Sequence, residues 1–394
     1  MKRRKVLAGA AVLPIGMALA GCGGRFNSTG NQIQLLDRSI PLRLVRDFQR
    51  QKPPDTQVSF ETRETFLELF QQLRAWQVEP AQNRTALNLP LPGNRTSSTQ
   101  QAELLSLGDY WLRPAIEEGL IQPLPVEALA AWADLTPDWQ ALVRRDRNGF
   151  PSAQGEVWAL PYRWGYLQMI YNRRHFEALG WQPQGWADLL RPEVQGRLAL
   201  PDHPRIVLGL ALKLLGESAN TADPQAVSDL AQQLAALQQQ TRFYSSDHYL
   251  EPLVLEDIAL AVGWSTDILP AAQEYRQFAA LVPEEGTLLT ADLWVRPAPL
   301  PDTTPAQALS AVSQAWLQYC LDPQTALELT LYSLGASPRF WGQAAAALPE
   351  ALRNRPQLTL TPETQQRSEF LLPLPEAVQQ VYDELWLQMR SALV

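Results

Sequence analysis

Hydrophobic residues in this chain recur at two spacings. Short apolar runs predict strands, and longer runs with an apolar residue every three or four positions predict helices. Ile33 to Leu36 and Val58 to Phe60 are predicted strands, and each is followed by a predicted helix with one apolar face. This alternation predicts an α/β fold with a parallel sheet that is covered by helices.

The pattern is interrupted once and then begins again. Residues 79–101 are rich in Pro, Asn, Gln, Ser and Thr, which predicts a surface insertion. A strand is predicted at Leu104 to Leu107, and a second series of strands and helices starts at Leu198 to Leu200 and continues with Ile258 to Val262. A chain of 394 residues is too long for one ordinary core. The sequence therefore predicts two lobes.

Between the two series lies Val157 to Asn172, whose apolar ends flank Tyr162, Arg163, Trp164 and Tyr166. The stretch fits either a long core strand or a strand that leaves one lobe and enters the other. Because the βα pattern restarts after it, we interpret it as the first crossing between lobes. On this hypothesis Tyr162, Arg163 and Trp164 face or border a cleft.

The composition restricts the classes of function. Hydrophobic residues make up 46% of the chain and charged residues 19%, values typical of globular proteins. The formal net charge is -8, although Lys2, Arg3, Arg4 and Lys5 contribute four cations near the start. An acidic body argues against nucleic acid as a partner and mildly favours cationic ligands.

Residues 1–22 have the pattern of an export signal. The cluster Lys2 to Lys5 precedes an apolar run, Val6 to Leu19, which is too short to predict a membrane span. Leu19-Ala20-Gly21-Cys22 matches the lipobox of bacterial lipoproteins, so we expect cleavage before Cys22 and lipidation of this cysteine. The alternative is an uncleaved anchor; both leave the body outside the cytoplasm, on the periplasmic side of a bacterial membrane.

Two details of export follow from the same region. Arg3-Arg4 also fits a twin-arginine signal, so the Sec and twin-arginine routes both stay open. Residues 23–31 predict a flexible tether. Cys320, the second cysteine, lies on the apolar face of a predicted helix and is expected to be buried and unpaired.

Residues typical of catalysis are not arranged in a known motif. The three histidines, His175, His203 and His248, have neither HExxH nor zinc-finger spacing, and the chain has no GxSxG, Walker or GxGxxG motif. We therefore predict no catalytic residue, no metal and no cofactor, and we expect a binding protein rather than an enzyme.

Aromatic and polar residues follow several predicted strands. Tyr110 and Trp111 come after the strand at Leu104, Asp202 after the strand at Leu198, and Trp264 after the strand at Ile258. Each aromatic taken alone fits ordinary packing better than ligand binding. Their shared position favours a binding surface, since parallel sheets bind ligands beyond the carboxyl ends of their strands.

From about Ile33 to Leu387 the sequence also resembles a known family, the periplasmic spermidine/putrescine-binding proteins of ABC transporters. The resemblance implies a two-lobed periplasmic-binding-protein fold, type II-like, with crossing strands around a ligand cleft. It also implies a monomer that closes on its ligand and delivers it to the transporter's membrane subunits. The motifs that carry the resemblance are Asp109-Tyr110-Trp111, Glu118-Gly119-Leu120-Ile121-Gln122, Leu160-Pro161-Tyr162-Arg163-Trp164-Gly165, Trp186-Ala187-Asp188-Leu189, Pro192-Glu193, Gly196, Asn220-Thr221-Ala222-Asp223-Pro224 and Pro283-Glu284-Glu285-Gly286.

The resemblance also implies site residues. Tyr110 or Trp111, Ser246, Trp264 and Asp292 match cleft positions of the family, and Asp292 matches a carboxylate that pairs with a ligand amine. The full predicted ligand set is Tyr110, Trp111, Trp164, Asp202, Ser246, Trp264 and Asp292.

This chain departs from the family at several cleft positions. Leu36, Ser39 and Thr290 stand where the family has aromatics, and His203 and Ile206 stand where it has amine-pairing acids. Arg205 and Arg163 would instead suit an anionic group. A polyamine is the ligand that the resemblance implies, and another small solute is the alternative.

The predicted organisation is a first lobe of residues 32–160 plus 292–335 and a second lobe of 161–291 plus 336–394. The predicted function is that of a lipid-anchored solute-binding protein of an ABC importer. A sensor or assembly lipoprotein without a role in transport is the alternative from another class.

Overall fold

The computed structural model describes residues 31–78, 101–301 and 308–391. Cys22 and nearly all of the predicted insertion lie outside the described residues. The strands are β1 (Asn31–Leu36), β2 (Val58–Arg63), β3 (Leu104–Gly108), β4 (Ile121–Gln122), β5 (Arg144–Arg145), β6 (Glu156–Val157), β7 (Ala159–Asn172), β8 (Leu198–Leu200), β9 (Thr241–Tyr244), β10 (Leu260–Trp264), β11 (Phe278–Leu281), β12 (Leu288–Pro297) and β13 (Glu369–Phe370). The α-helices are α1 (Leu42–Gln51), α2 (Phe66–Val78), α3 (Leu112–Glu117), α4 (Ala130–Ala133), α5 (Pro137–Val143), α6 (Arg173–Ala178), α7 (Pro204–Leu214), α8 (Leu230–Gln240), α9 (Leu250–Val254), α10 (Ser265–Glu274), α11 (Ala311–Cys320), α12 (Pro323–Ser333), α13 (Glu350–Arg353), α14 (Pro362–Gln366) and α15 (Glu376–Ser391).

One mixed sheet runs through both lobes. Its main strand order is β2-β1-β3-β12-β7-β10-β8-β9. At one end β1 pairs in parallel with β2 and β3, and at the other β8 pairs in parallel with β9 and β10. In the centre β12 and β7 are antiparallel to each other. The predicted α/β fold is confirmed, with one parallel half-sheet in each lobe.

The strand β7 is the predicted crossing between lobes. All 14 of its residues are buried. Tyr166 belongs to the hydrophobic core of the first lobe, and Leu167 belongs to that of the second. In the neighbouring strand β12, Leu288 belongs to the core of the second lobe and Leu289 to that of the first. Leu289 lies opposite Tyr166. The two strands therefore pass between the lobes at the same level.

A third crossing is formed by Phe370 to Leu374, which we call the third crossing segment. Phe370 and Leu372 pack against the core of the first lobe, whereas Leu371 and Leu374 pack against the core of the second. The segment therefore contacts both lobes along its length.

The cores place the lobe boundaries away from the predicted ones. The first crossing changes lobes at residues 166/167 rather than at 160/161. Ala336 and Leu360 belong to the core of the first lobe, although residues 336–394 were predicted in the second. Between Pro338 and Gln366 the chain forms short helices separated by Pro and Gly, and they carry no sequence pattern that tells which core they cover.

Two further findings concern the described part of the chain. No helix there has the length and apolar character needed to cross a bilayer. Within the same residues, no group of three or more His, Cys, Asp or Glu side chains is placed to hold a metal ion. Cys320 is buried and unpaired, as predicted.

Candidate functional site

A cavity of about 660 Å³ lies between the lobes. The first lobe supplies the turn after β3, the start of α3 and Arg145. The second lobe supplies Arg205 and the face of α15, and the third crossing segment runs along one wall. The lining residues are Asp109, Tyr110, Trp111, Arg113, Pro114, Glu117, Arg145, Arg205, Leu371, Leu372, Pro373, Leu374, Glu376, Gln379, Gln380 and Asp383.

Tyr110 and Trp111 bring aromatic surface to this cavity. Both lie in a 3-10 turn that follows the buried strand β3. Tyr110 is 51% exposed, and its ring stands edge-on to His203 of the second lobe with the ring centroids 4.9 Å apart. Trp111 is half-buried and packs on Phe70 at 4.6 Å. Of the seven predicted ligand residues, these two line the cavity.

Asp109 begins the same turn and is held by β12. Its carboxylate accepts hydrogen bonds from the hydroxyl of Thr290 at 3.0 Å and from the backbone N–H of Ala291 at 3.1 Å. Burial raises the pKa of Asp109 to about 6, against the lowering effect of these two hydrogen bonds and of the Arg145 charge. Asp109 thus fixes the turn that carries Tyr110 and also contributes a weakly acidic group to the cavity.

Asp292 already has a cationic partner within the chain. Its carboxylate accepts a hydrogen bond from Arg163 Nε at 2.5 Å, and each residue is 5% exposed. The two residues lie opposite each other on β12 and β7, where the register shifts after Asp292. Burial raises the pKa of Asp292, and the charge of Arg163 opposes that rise. The carboxylate that was predicted to pair with a ligand amine is therefore neutralised by Arg163.

Trp164 does not face the cleft. It is 1% exposed and belongs to the core of the first lobe. Its indole N–H donates to the backbone carbonyl of Ser337 at 3.2 Å, and its ring packs edge-on against Trp341. Because β7 is covered on both faces, its aromatics serve as core residues. This burial corrects the prediction that Trp164 borders the cleft.

The other predicted residues lie outside the lining of this cavity. Asp202 is exposed and forms an ion pair with Arg390 at 2.9 Å. Ser246 is exposed in the loop after β9. Trp264 is half-buried, ends β10 immediately before α10 and packs against the core of the second lobe. The structure does not bring these three side chains together with Tyr110.

The sequence indicated a ligand-binding role for one of the two buried arginines of the cavity and not for the other. Arg205 follows Pro204 in the first turn of α7 and was noted as suited to an anion. Arg145 lies in the hairpin formed by β5 and β6, and nothing in the sequence pattern marked it. The Arg145 backbone carbonyl accepts a hydrogen bond from the indole N–H of Trp158 at 3.1 Å, which ties the hairpin to the start of β7.

His203 is a third residue beside the cavity, at a position that the resemblance placed in the cleft without giving it a ligand role. It precedes α7 and meets the ring of Tyr110. Burial, assisted by the charge of Arg205, lowers the pKa of His203 to about 4. The imidazole is therefore neutral at pH 7 and brings no charge to the cavity.

Comparison with known proteins places the chain in a family. Residues 101–361 match the family model described as bacterial extracellular solute-binding protein. The spermidine/putrescine-binding periplasmic protein 1 of Haemophilus influenzae is 24% identical over 290 residues, which cover 74% of this chain and 75% of the relative. The putrescine/cadaverine-binding protein of Pseudomonas aeruginosa is 27% identical over 252 residues, which cover 60% of this chain and 67% of the relative.

Solved structures share the fold. The spermidine/putrescine ABC transporter substrate-binding protein PotD of Streptococcus pneumoniae superposes with a TM-score of 0.70 at 21% identity, over 92% of this chain and 99% of that one. A periplasmic thiamin-binding protein superposes with a TM-score of 0.55 at 17% identity, over 97% and 100%. With a matching family model over most of its length and a two-lobed fold with an interlobe cavity, the chain belongs to the bacterial extracellular solute-binding proteins.

Proposed function

We propose that this protein binds a small organic solute in its interlobe cavity and delivers it to the membrane subunits of an ABC importer. The observation that carries the proposal is that both lobes supply side chains to one cavity. Tyr110 of the first lobe meets His203 of the second beside it. A solute that contacts both lobes stabilises the closed arrangement, and the closed arrangement is the signal for delivery.

Polyamines are the first solutes to test. Two relatives carry the names of spermidine, putrescine or cadaverine as their ligands. The cavity lining includes four carboxyl side chains, those of Asp109, Glu117, Glu376 and Asp383. Against a polyamine stands the pairing of Asp292 with Arg163, which leaves that carboxylate without a free charge for a ligand amine.

A thermal-shift screen followed by calorimetry tests the binding role. A solute at about a hundred times its dissociation constant adds roughly 2.7 kcal/mol of stability. Tyr110→Ala is expected to weaken binding of any solute that raises the melting temperature. Tyr332→Ala removes a similarly exposed tyrosine on α12; it is the matched control and is expected to leave the affinity unchanged. Equal affinities in all three proteins would place the solute elsewhere.

We further propose that a lipid on Cys22 holds the monomeric protein at the membrane. The lipobox at Leu19 to Cys22 supports this proposal. Cys22→Ser is expected to move the protein from the membrane fraction to the soluble fraction, and mass spectrometry of the native N-terminus should show the diacylated cysteine. A protein that stays membrane-bound after this substitution would favour an uncleaved anchor.

A further inference from the structure

Two arginines that line the cavity are buried without a carboxylate partner. Arg145 of the first lobe and Arg205 of the second are each 3% exposed. Among the residues that the structure describes, neither guanidinium forms an ion pair with Asp or Glu within 4.0 Å. The other charged residues that line the cavity and form ion pairs, Arg113 and Glu117, are paired with each other.

Arg145 has donor capacity that nothing in the described chain satisfies. Its Nε donates to the backbone carbonyl of Leu142 at 2.8 Å, but Nη1 is buried and has no hydrogen-bond partner. Burial lowers the pKa of Arg145 to about 10, and the charge of Asp109 opposes that change. The side chain is nonetheless cationic at neutral pH and therefore presents an unsatisfied charged donor beside the cavity.

Arg205 is held entirely by neutral acceptors. Nη1 donates to the carbonyl of Leu372 at 3.1 Å, and Nη2 donates to the carbonyl of Ala219 at 3.3 Å and to Asn220 Oδ1 at 3.0 Å. Its Nε has no partner, and the guanidinium lies over the ring of Tyr382 at 4.9 Å. These contacts orient the side chain without neutralising its charge.

The acids of the cavity do not replace the missing partners. Asp109 accepts hydrogen bonds from Thr290 and Ala291, Glu117 is paired with Arg113, and Asp383 accepts from the amide of Gln379. Glu376 is exposed at the start of α15. His203, beside Arg205, adds no negative charge because it is an imidazole.

Burying a cation without a counter-charge is costly, so such a position is best explained by a partner that arrives from outside. Guanidinium groups bind carboxylates and phosphates through paired N–H donors. Because Arg145 and Arg205 come from different lobes, an anion between them contacts both lobes at once.

We propose that the solute of this protein carries an anionic group, a carboxylate or a phosphate, which Arg145 and Arg205 hold between the lobes. This inference rests on the proposed solute-binding function and names the chemical class of its ligand. A solute that has only ammonium groups would meet two unpaired cations there.

The test is a binding screen on the unmodified mature protein, by thermal shift and calorimetry. One arm contains small dicarboxylates and acidic amino acids, a second contains sugar phosphates and inorganic phosphate, and a third contains putrescine and spermidine. We expect binding in the first or second arm, which also tells carboxylate from phosphate. Binding in the polyamine arm alone would overturn the anion inference and leave the solute-binding function intact. No binding in any arm would count against both.

Substitutions of the two arginines then test whether these side chains bind the anionic group. Arg145→Gln and Arg205→Gln are each expected to weaken the anionic solute at least about tenfold. Arg74→Gln and Arg390→Gln remove exposed, paired arginines, one in each lobe, and are the matched controls. Unchanged affinity in both cavity variants would overturn the assignment.

The melting temperature of the solute-free variants separates binding from a structural role. Removal of an uncompensated buried cation is expected to leave the melting temperature of Arg145→Gln unchanged or raised. A lowered melting temperature together with unchanged affinity would show that Arg145 is structural, and would contradict the inference. Should a variant not fold, the dependence of wild-type affinity on chloride concentration decides: affinity for the anion must fall as chloride rises.

Discussion

Single side chains decide which charges the cleft offers to a solute. Asp292 and Arg163 neutralise each other in the buried centre of the sheet, and Asp202 is paired with Arg390 at the surface. Both of these acids were predicted to bind the ligand, and each is already paired with an arginine of the chain. Arg145 and Arg205 are instead buried at the cavity wall without an ion-pair partner, and they are the basis for proposing an anionic group on the solute.

Removing one member of the buried pair tests this view of Asp292. Asp292→Ala leaves the Arg163 guanidinium buried without its partner, so we expect a loss of about 3–5 kcal/mol in the free energy of unfolding. Asp202→Ala breaks an exposed pair and is expected to change it by about 1 kcal/mol or less. Chemical denaturation measures both. A small effect of Asp292→Ala would mean that the pair is accessible to solvent and available to a ligand.

His203 makes stability depend on pH. Its pKa is about 4 in the folded protein and about 6.5 in an unfolded chain. As the pH falls from 6.5 to 4, the unfolded state takes up a proton that the folded state does not, so stability is lost across this window. His203→Gln is expected to lose less melting temperature than wild type between pH 6.5 and 4.5.

Asp109 acts in the opposite sense over part of that window, because its raised pKa makes the folded state take up a proton first. It is present in both proteins, so its contribution cancels in the difference. His248→Gln, in an exposed loop, is the control and should follow the wild-type profile. Parallel profiles for His203→Gln and wild type would show that His203 is accessible to protons in the folded state.

Among the elements, the β5–β6 hairpin positions Arg145. Its strands have only two residues each, and the turn between them brings Gly155 close to Arg145. A Cβ at position 155 would lie 2.3 Å from the backbone oxygen of Arg145, closer than any real contact. Glycine is therefore required for the hairpin to close over the arginine.

Gly155→Ala is expected to force the hairpin apart and to destabilise the protein by about 1–3 kcal/mol. It should also weaken the bound solute, since Arg145 moves with its backbone. Ala153→Ser, exposed on the same turn, is the control and should have neither effect. Calorimetry on both variants measures affinity and unfolding together, and wild-type values for Gly155→Ala would contradict the role given to the hairpin.

At the scale of the whole molecule, the last helix, α15, packs on the second lobe, although the chain contacts the core of the first lobe shortly before it. Ala336 and Leu360 belong to the core of the first lobe, whereas α15 docks on the second, where Tyr382 is fully buried. The Tyr382 hydroxyl shares its single proton between the carbonyls of Ala219 and Thr221, at 3.3 and 3.1 Å. This helix also supplies Asp383 to the cavity, so its docking holds one wall of the site.

Tyr382→Ala is expected to cost about 3–5 kcal/mol, because it removes a buried ring and the shared hydrogen bond of its hydroxyl. Leu387→Ala, whose side chain is 65% exposed on the same helix, should change the free energy of unfolding by about 0.5 kcal/mol or less. Denaturation with guanidinium compares them. Similar small values would mean that α15 contributes little to the second lobe.

The sequence was sufficient for features set by local pattern and insufficient for features set by distant pairing. The two series of strands, the crossing at Val157 to Asn172 and the turn at Tyr110 follow from periodicity and resemblance. The pairing of Asp292 with Arg163 depends on the register of two strands that are 129 residues apart. The site role of Arg145 depends on a short hairpin without a strong strand signal, and the burial of Trp164 depends on helices that the pattern left unassigned.

The third crossing segment has a consequence for how the length of this protein can vary between relatives. Phe370 and Leu372 point to one lobe while Leu371 points to the other. One inserted or deleted residue would move these side chains away from the cores that they now cover and displace the carbonyl of Leu372 from Arg205. Natural length changes should therefore accumulate in surface loops and be absent between Phe370 and Leu374.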